Sequence, residues 1–178
     1  MKIQESTTRK LLLTEVKALD PITVFLEDLE PRKGKITINC WDSSWSAYWG
    51  GMGKNSIAEF FISCNNSYLI GNLSRVNANI DDYDHLDVWL KSEIIKLRKD
   101  RDIDKDEAAE LWSDIEINCQ NCEHWIKSES GNKLCHKVIG DDWWHSIPSI
   151  SNPEYLYLER IVDAVRDALK QTLISKAA

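Results

Sequence analysis

Five cysteines and four histidines have the widest chemical range in this chain, and three of the cysteines fall in one stretch. Cys119 and Cys122 form a C-x-x-C pair, His124 follows, and Cys135-His136 comes after a further run of polar residues. Two thiolates from one knuckle and two ligands returned by the chain are what a tetrahedral zinc site uses, and an all-protein ligand set would make such a site structural. The ligands would be Cys119, Cys122 and Cys135 with His136, or with His124 or His145 in its place. Two features oppose this: the second pair is adjacent instead of two residues apart, and no Gly or Pro shapes the knuckle after Cys122. Ordinary reduced thiols without a cofactor are therefore the expectation, with zinc as the alternative. A redox C-x-x-C would need a thioredoxin-like strand and helix around it, which the flanking Asn118, Gln120 and Asn121 do not supply.

Gly50-Gly51-Met52-Gly53-Lys54 lies between a strand pattern and a helix pattern, the place of a phosphate loop. The spacing fails, because Tyr48 stands where the first glycine is needed and Asn55 where a hydroxyl must follow the lysine. What survives is a backbone nest at Gly51, Gly53 and Lys54 that could hold an anion. Asp100-x-Asp102-x-Asp104 imitates a calcium loop but has Lys105 in place of its glycine and Leu111 in place of its bidentate glutamate. The histidines, at 85, 124, 136 and 145, show no spacing with a Ser or Cys that specifies a nucleophile and base, so no catalytic residue is assigned.

The eight tryptophans are the remaining anomaly. Trp41, Trp45 and Trp49 recur every fourth residue, which places them on one side of either a strand or a helix, and Tyr48 is beside them. Trp143 and Trp144 form a second aromatic knot. Such residues fill cores, and they also dominate protein-binding hot spots. These six aromatics are the candidate partner-binding residues.

The elements that must position them follow from periodicity. Alternation marks strands near 10–16, 22–29, 35–41 and 45–49, joined by turns at Pro31 to Gly34 and at Asp42-Ser43-Ser44, which reads as an antiparallel meander over about 10–50. Helical stripes then mark about 56–70, started by a Ser56/Glu59 capping box, 84–99, 104–116 with Asp104 at its start, and 153–175 with Asn152 as cap and Pro153 in the first turn. Residues 71–83 and 117–133 are polar and read as loops. Strands first and helices after predict an α+β fold, a single domain over 1–178 with helices on one face of the sheet.

Lys and Arg number 22 against 29 Asp and Glu, a net −7. All of it belongs to residues 80–116, with 13 acids and 6 bases, on two amphipathic helices. Such runs are normally a solvated outer face; the sharper reading is an acidic surface competing for a nucleic-acid-binding partner. The sign argues against direct DNA binding, which rests on Lys and Arg displacing counterions. No apolar run reaches the ~18 residues of a membrane span and no signal-peptide core is present, so a cytoplasmic protein is expected.

Three runs carry a resemblance: Leu19 to Asp28 (LDPITVFLED), Gly34 to Ile38 (GKITI) and Trp45 to Gly53 (WSAYWGGMG). With Ile57 to Phe61, Asp141 to Trp144 and Asn152 to Tyr155, they are similar to an accessory protein family of temperate phages and prophages of enteric bacteria. The resemblance spans most of the chain but not the C-x-x-C segment, and it implies a small phage protein with no catalytic residue to carry over. The combined expectation is a non-enzymatic protein that binds a host or defence protein. An enzyme or nucleotide-binding protein, with a pocket near the glycine turn reached by Asp42, Lys54 and His145, and a zinc-stabilised interaction module are the alternatives. Oligomeric state is not encoded in any of these patterns.

Overall fold

The structure is a computed structural model that describes residues 3, 5 and 7–177. It is α+β, as the order of patterns predicts, but the chain clusters into two compact units where length suggested one domain. Residues 1–78 and 152–178 form the first unit, and 79–151, inserted between them in sequence, form the second.

The first unit holds β1 (Arg9–Leu13), β2 (Ile22–Glu30), β3 (Lys33–Cys40) and β4 (Ser43–Trp49), antiparallel and in sequential order. Alternation sorts the faces: Ile22, Val24, Leu26, Ile36, Ile38, Cys40, Ala47 and Trp49 are buried on one side. Against that side pack α1 (Ile57–Ser63), α2 (Asn66–Leu73) and α7 (Pro153–Ala177), which contribute Ile57, Phe61, Leu69, Ile70, Leu158, Ile161, Val162, Val165 and Leu169 to one core. The expected helix over 56–70 is two helices, because Asn65 turns its side chain back to accept from the Tyr68 N–H and starts a new one. The expected caps of the first and last helices are in place. Ser56 and Glu59 form a reciprocal capping box on α1, and Asn152 accepts from the Glu154 N–H at α7.

The second unit is mostly helical: α3 (Leu86–Asp100), α4 (Lys105–Asn118), α5 (Cys122–Ile126) and α6 (Glu129–Val138), with a short ladder of β5 (Asn79–Asp81) on β6 (Ser149–Ser151). Its core gathers Leu86, Leu90 and Ile94 of α3, Leu111 and Ile115 of α4, Trp125 and Ile126 of α5, Leu134, Cys135 and Val138 of α6, and Trp143. The polar stretches expected to be loops contain the end of α2, β5, all of α5 and the start of α6. The sequence shows no helical stripe for α6 because its first turn is polar; its start is marked by Ser128, whose hydroxyl accepts from the Gly131 N–H. A Cβ on Gly131 would sit 2.2 Å from the Trp125 carbonyl oxygen, so only glycine allows α5 and α6 this approach.

The charge follows the units. Residues 79–151 hold 17 acids and 9 bases, a net −8, and the remainder 12 acids and 13 bases, a net +1. Several bases of the second unit are spent on its own acids, as in Lys96–Glu93 at 2.6 Å, Lys127–Glu123 at 2.6 Å and Lys91–Glu116 at 3.4 Å. An interleaved, internally paired surface carries a weaker field than its net charge suggests.

Candidate functional site

The tryptophans that sequence spacing put on one side are divided by the sheet. Trp45 and Trp49 do share the inner face. Trp49 is 5% exposed and stacks at a tilt on Phe60, ring centroids 5.5 Å apart, while half-buried Trp45 meets Tyr157 of α7 at 6.5 Å. Trp41 belongs to no strand. β3 ends at Cys40, which pairs directly with Ser43, so the turn is the two residues Trp41 and Asp42, one step earlier than the Asp42-Ser43-Ser44 turn expected. Two-residue hairpin turns that match strand twist demand positive φ, normally supplied by Gly, Asn or Asp. Here Trp41 supplies it, at φ +53°, and is 79% exposed. A bulky residue in the left-handed region costs about 1–2 kcal/mol. An indole so exposed recovers little of that cost by burial within its own chain.

Just behind this tip is a cleft of about 550 Å³, lined by Ser43, Ser44, Trp45, Glu154, Tyr157 and Leu158 among others. The hydroxyl of Tyr157, one of its walls, lies 3.3 Å from the Cys40 sulfur. That hydrogen bond, with burial, pushes the Tyr157 phenol up to about 12, so it stays protonated at neutral pH. Sequence spacing does not mark Glu154 or Tyr157 as site residues. They come from a helix more than a hundred residues beyond the hairpin, and no local spacing links them to Trp45.

Tyr48, also exposed, projects from the opposite, uncovered face of the sheet. That face is built of cross-strand rows such as Lys10, Phe25, Thr37 and Ser46. Its polar groups satisfy one another: Thr37 and Ser46 hydroxyls lie 3.0 Å apart, Ser44 donates to Asn39 at 2.8 Å, and the Lys10 ammonium sits 5.7 Å over the Phe25 ring. Tyr48 and Trp41 stand near opposite ends of β4, separated by roughly 17 Å at 3.4 Å per residue, so they do not form one patch. Of the second knot, Trp143 is core at 6% exposed, and Trp144 stands half out of the surface, its ring edge-on to Trp143 at 5.9 Å and to His136 at 6.4 Å. Trp49 and Trp143 are thus too enclosed to contact a partner. Trp41, Tyr48 and Trp144 are exposed, and half-buried Trp45 lines the cleft.

The glycine turn is built differently from an anion nest. Gly53 takes φ +66°, and Met52 donates its N–H to Arg32 at 2.9 Å. Donors at the start of α1 that an anion would use are already taken by side chains of the chain, two of them carboxylates. Ile57 N–H donates to Asp28 at 2.7 Å, and Ser56 donates both its N–H and its hydroxyl to Glu59 at 2.8 Å. These bonds hold the Glu59 carboxyl below its usual range. Gly51, Gly53 and Lys54 therefore flank a helix start that supplies its own anions. Asp42 and Lys54 lie beyond opposite ends of seven-residue β4, on the order of 20 Å apart, and cannot serve one pocket.

The residues of the alternative zinc reading do not gather into one cluster. Cys119 and Cys122 are joined to each other as a disulfide, which corrects the expectation of ordinary reduced thiols. Cys135 is fully enclosed, and burial pushes its thiol up to about 11. His136 faces Asp141 at 3.4 Å instead. Among the described residues, no group of three or more His, Cys, Asp and Glu is placed to hold a metal ion. The most strongly partnered histidine is His85, raised above its usual value by a 3.0 Å hydrogen bond to Asp82.

Sheet, helical insertion and exposed hairpin tip define an α+β protein whose most unusual surface feature is a strained, solvent-facing indole beside a cleft. The chain belongs to a phage protein family, described as "Phage family", whose model matches residues 1–171. No curated protein and no solved structure matches it. No helix among the described residues is long and apolar enough to cross a membrane.

Proposed function

We propose that this chain is an accessory protein of temperate phages and prophages of enteric bacteria that works without catalysis, in the host cytoplasm, by binding a host or defence protein. The observation that carries the reading is Trp41. It combines a backbone conformation unfavourable for a bulky side chain with 79% exposure, two costs of which the free chain recovers little. Burying such an indole in a partner's pocket is the contact that most often dominates a protein interface. The cleft behind it, walled by Trp45 and Tyr157 with the Glu154 carboxylate, offers the complementary hollow for a partner side chain. Anchor and hollow on one end of a rigid sheet form a pre-organised surface, which lowers the ordering cost of association.

The test is affinity capture of the full chain from infected cells, with the Trp41→Gly variant in parallel. A single host or defence protein held at stoichiometric yield by the parent and lost with the variant is the expected result. Equal recovery with both would remove Trp41 from the interface, and no stoichiometric protein with either would remove the binding reading.

A further inference from the structure

We propose that Cys119 and Cys122 form a reversible dithiol/disulfide couple, a thiol-exchange site whose oxidation clamps the helical unit at the junction of α4 and α5. The bond spans a single 3-10 turn. Cys119 closes α4, its N–H donating to the Ile115 carbonyl, and Cys122 opens α5 after the turn Cys119–Asn121. The two sulfurs differ in access. Cys119 is half-buried at the helix end, whereas Cys122 is 8% exposed and belongs to the core with Trp125, Ile126, Leu134 and Cys135. An incoming thiolate therefore reaches the Cys119 sulfur, and the Cys122 sulfur is the one that leaves.

The exchange balances with a dithiol reductant. One of its thiolates attacks the Cys119 sulfur, the disulfide bond breaks, and its electron pair departs on the Cys122 sulfur, which takes a proton. The reductant's second thiolate then attacks its own sulfur in the mixed disulfide and releases Cys119, which is also protonated. Two electrons and two protons have entered the protein, and the reductant leaves as a cyclic disulfide. Cys135 is no competitor, since its enclosed thiol stays protonated. Cys40 is buried against Tyr157 in the first unit, and Cys64 lies in that unit as well.

The structural consequence falls on one connection. α4 packs on α3, α5 packs on α6, and the cross-linked turn is where one helix pair passes into the other. Closing a four-residue loop lowers unfolded-state entropy by an amount equivalent to roughly 20-fold in a local opening equilibrium.

The experiment uses the full chain equilibrated in buffers of reduced and oxidised dithiothreitol at several ratios, then alkylated and mapped by mass spectrometry, with hydrogen exchange on the two end states. The expected result is one two-electron transition in which Cys119 and Cys122 gain labels together. Exchange across residues 105–138 should be about 20-fold faster in the reduced chain, with the sheet unchanged. A double variant, Cys119→Ser with Cys122→Ser, should exchange like the reduced chain in every buffer; if it does not fold, the parent's own two states carry the comparison. Labelling of both cysteines at every ratio, pairing of either one with Cys64 or Cys135, or identical exchange in the two states would each overturn the proposal.

Discussion

Trp41→Gly should move stability and binding in opposite directions. At φ +53° the tryptophan carries a left-handed backbone penalty of about 1–2 kcal/mol. Glycine removes that penalty and returns roughly 0.5–1 kcal/mol of it through greater freedom in the unfolded chain. Because the indole is 79% exposed, little burial is lost. The net expectation is a chain more stable by about 0.5–1 kcal/mol, read as a higher urea midpoint for the sheet by tryptophan fluorescence. Binding should fall instead. A tryptophan buries about 150–250 Å², of which some four fifths is still available here, and at ~25 cal/mol per Å² that is about 3–5 kcal/mol before the costs of association. A net loss of at least about 2 kcal/mol, thirtyfold in Kd, is expected for the captured partner by calorimetry. Destabilisation by more than about 1 kcal/mol would mean that Trp41 packs in the free protein, and an unchanged Kd would mean that it anchors nothing.

Two further outcomes probe the frame around the site. Gly131→Ala places a Cβ against the Trp125 carbonyl, a backbone atom that cannot swing aside, and should cost about 3 kcal/mol, seen as a lower melting temperature with faster hydrogen exchange confined to α5 and α6. The Glu59 carboxyl is lowered by the Ser56 backbone N–H and hydroxyl, so its folded value lies below its unfolded one. The stability it contributes is complete above about pH 4.5 and is lost as pH falls through the lowered folded value. Glu59→Gln should flatten that acid limb in melts between about pH 3 and 6, and an unchanged limb would show that the capping box does not couple to folding.

What the sequence determined by itself were the features whose physics is local. Alternation placed the four strands within a few residues, since the two faces of a half-covered sheet demand opposite polarity. Ser56 with Glu59, Asp104 and Asn152 announced three helix starts, because a cap bonds to an amide two or three residues away. The phage family was legible in runs spread along the chain, and the family match over residues 1–171 agrees with it. Tertiary structure decided the rest. A shift of one residue at the end of β3 moved Trp41 out of the aromatic row and onto the hairpin tip, and turn geometry, which depends on which residues pair, set that shift. Whether Trp143 or Trp144 went inside depended on what packed over each. The cleft needed Tyr157 and Glu154, delivered by a helix separated from the sheet in sequence by the whole second unit. The fate of the cysteines was decided the same way: spacing allowed a metal knuckle, free thiols or a bond, and the three-dimensional path of the chain buried Cys135 and left Cys119 and Cys122 to each other.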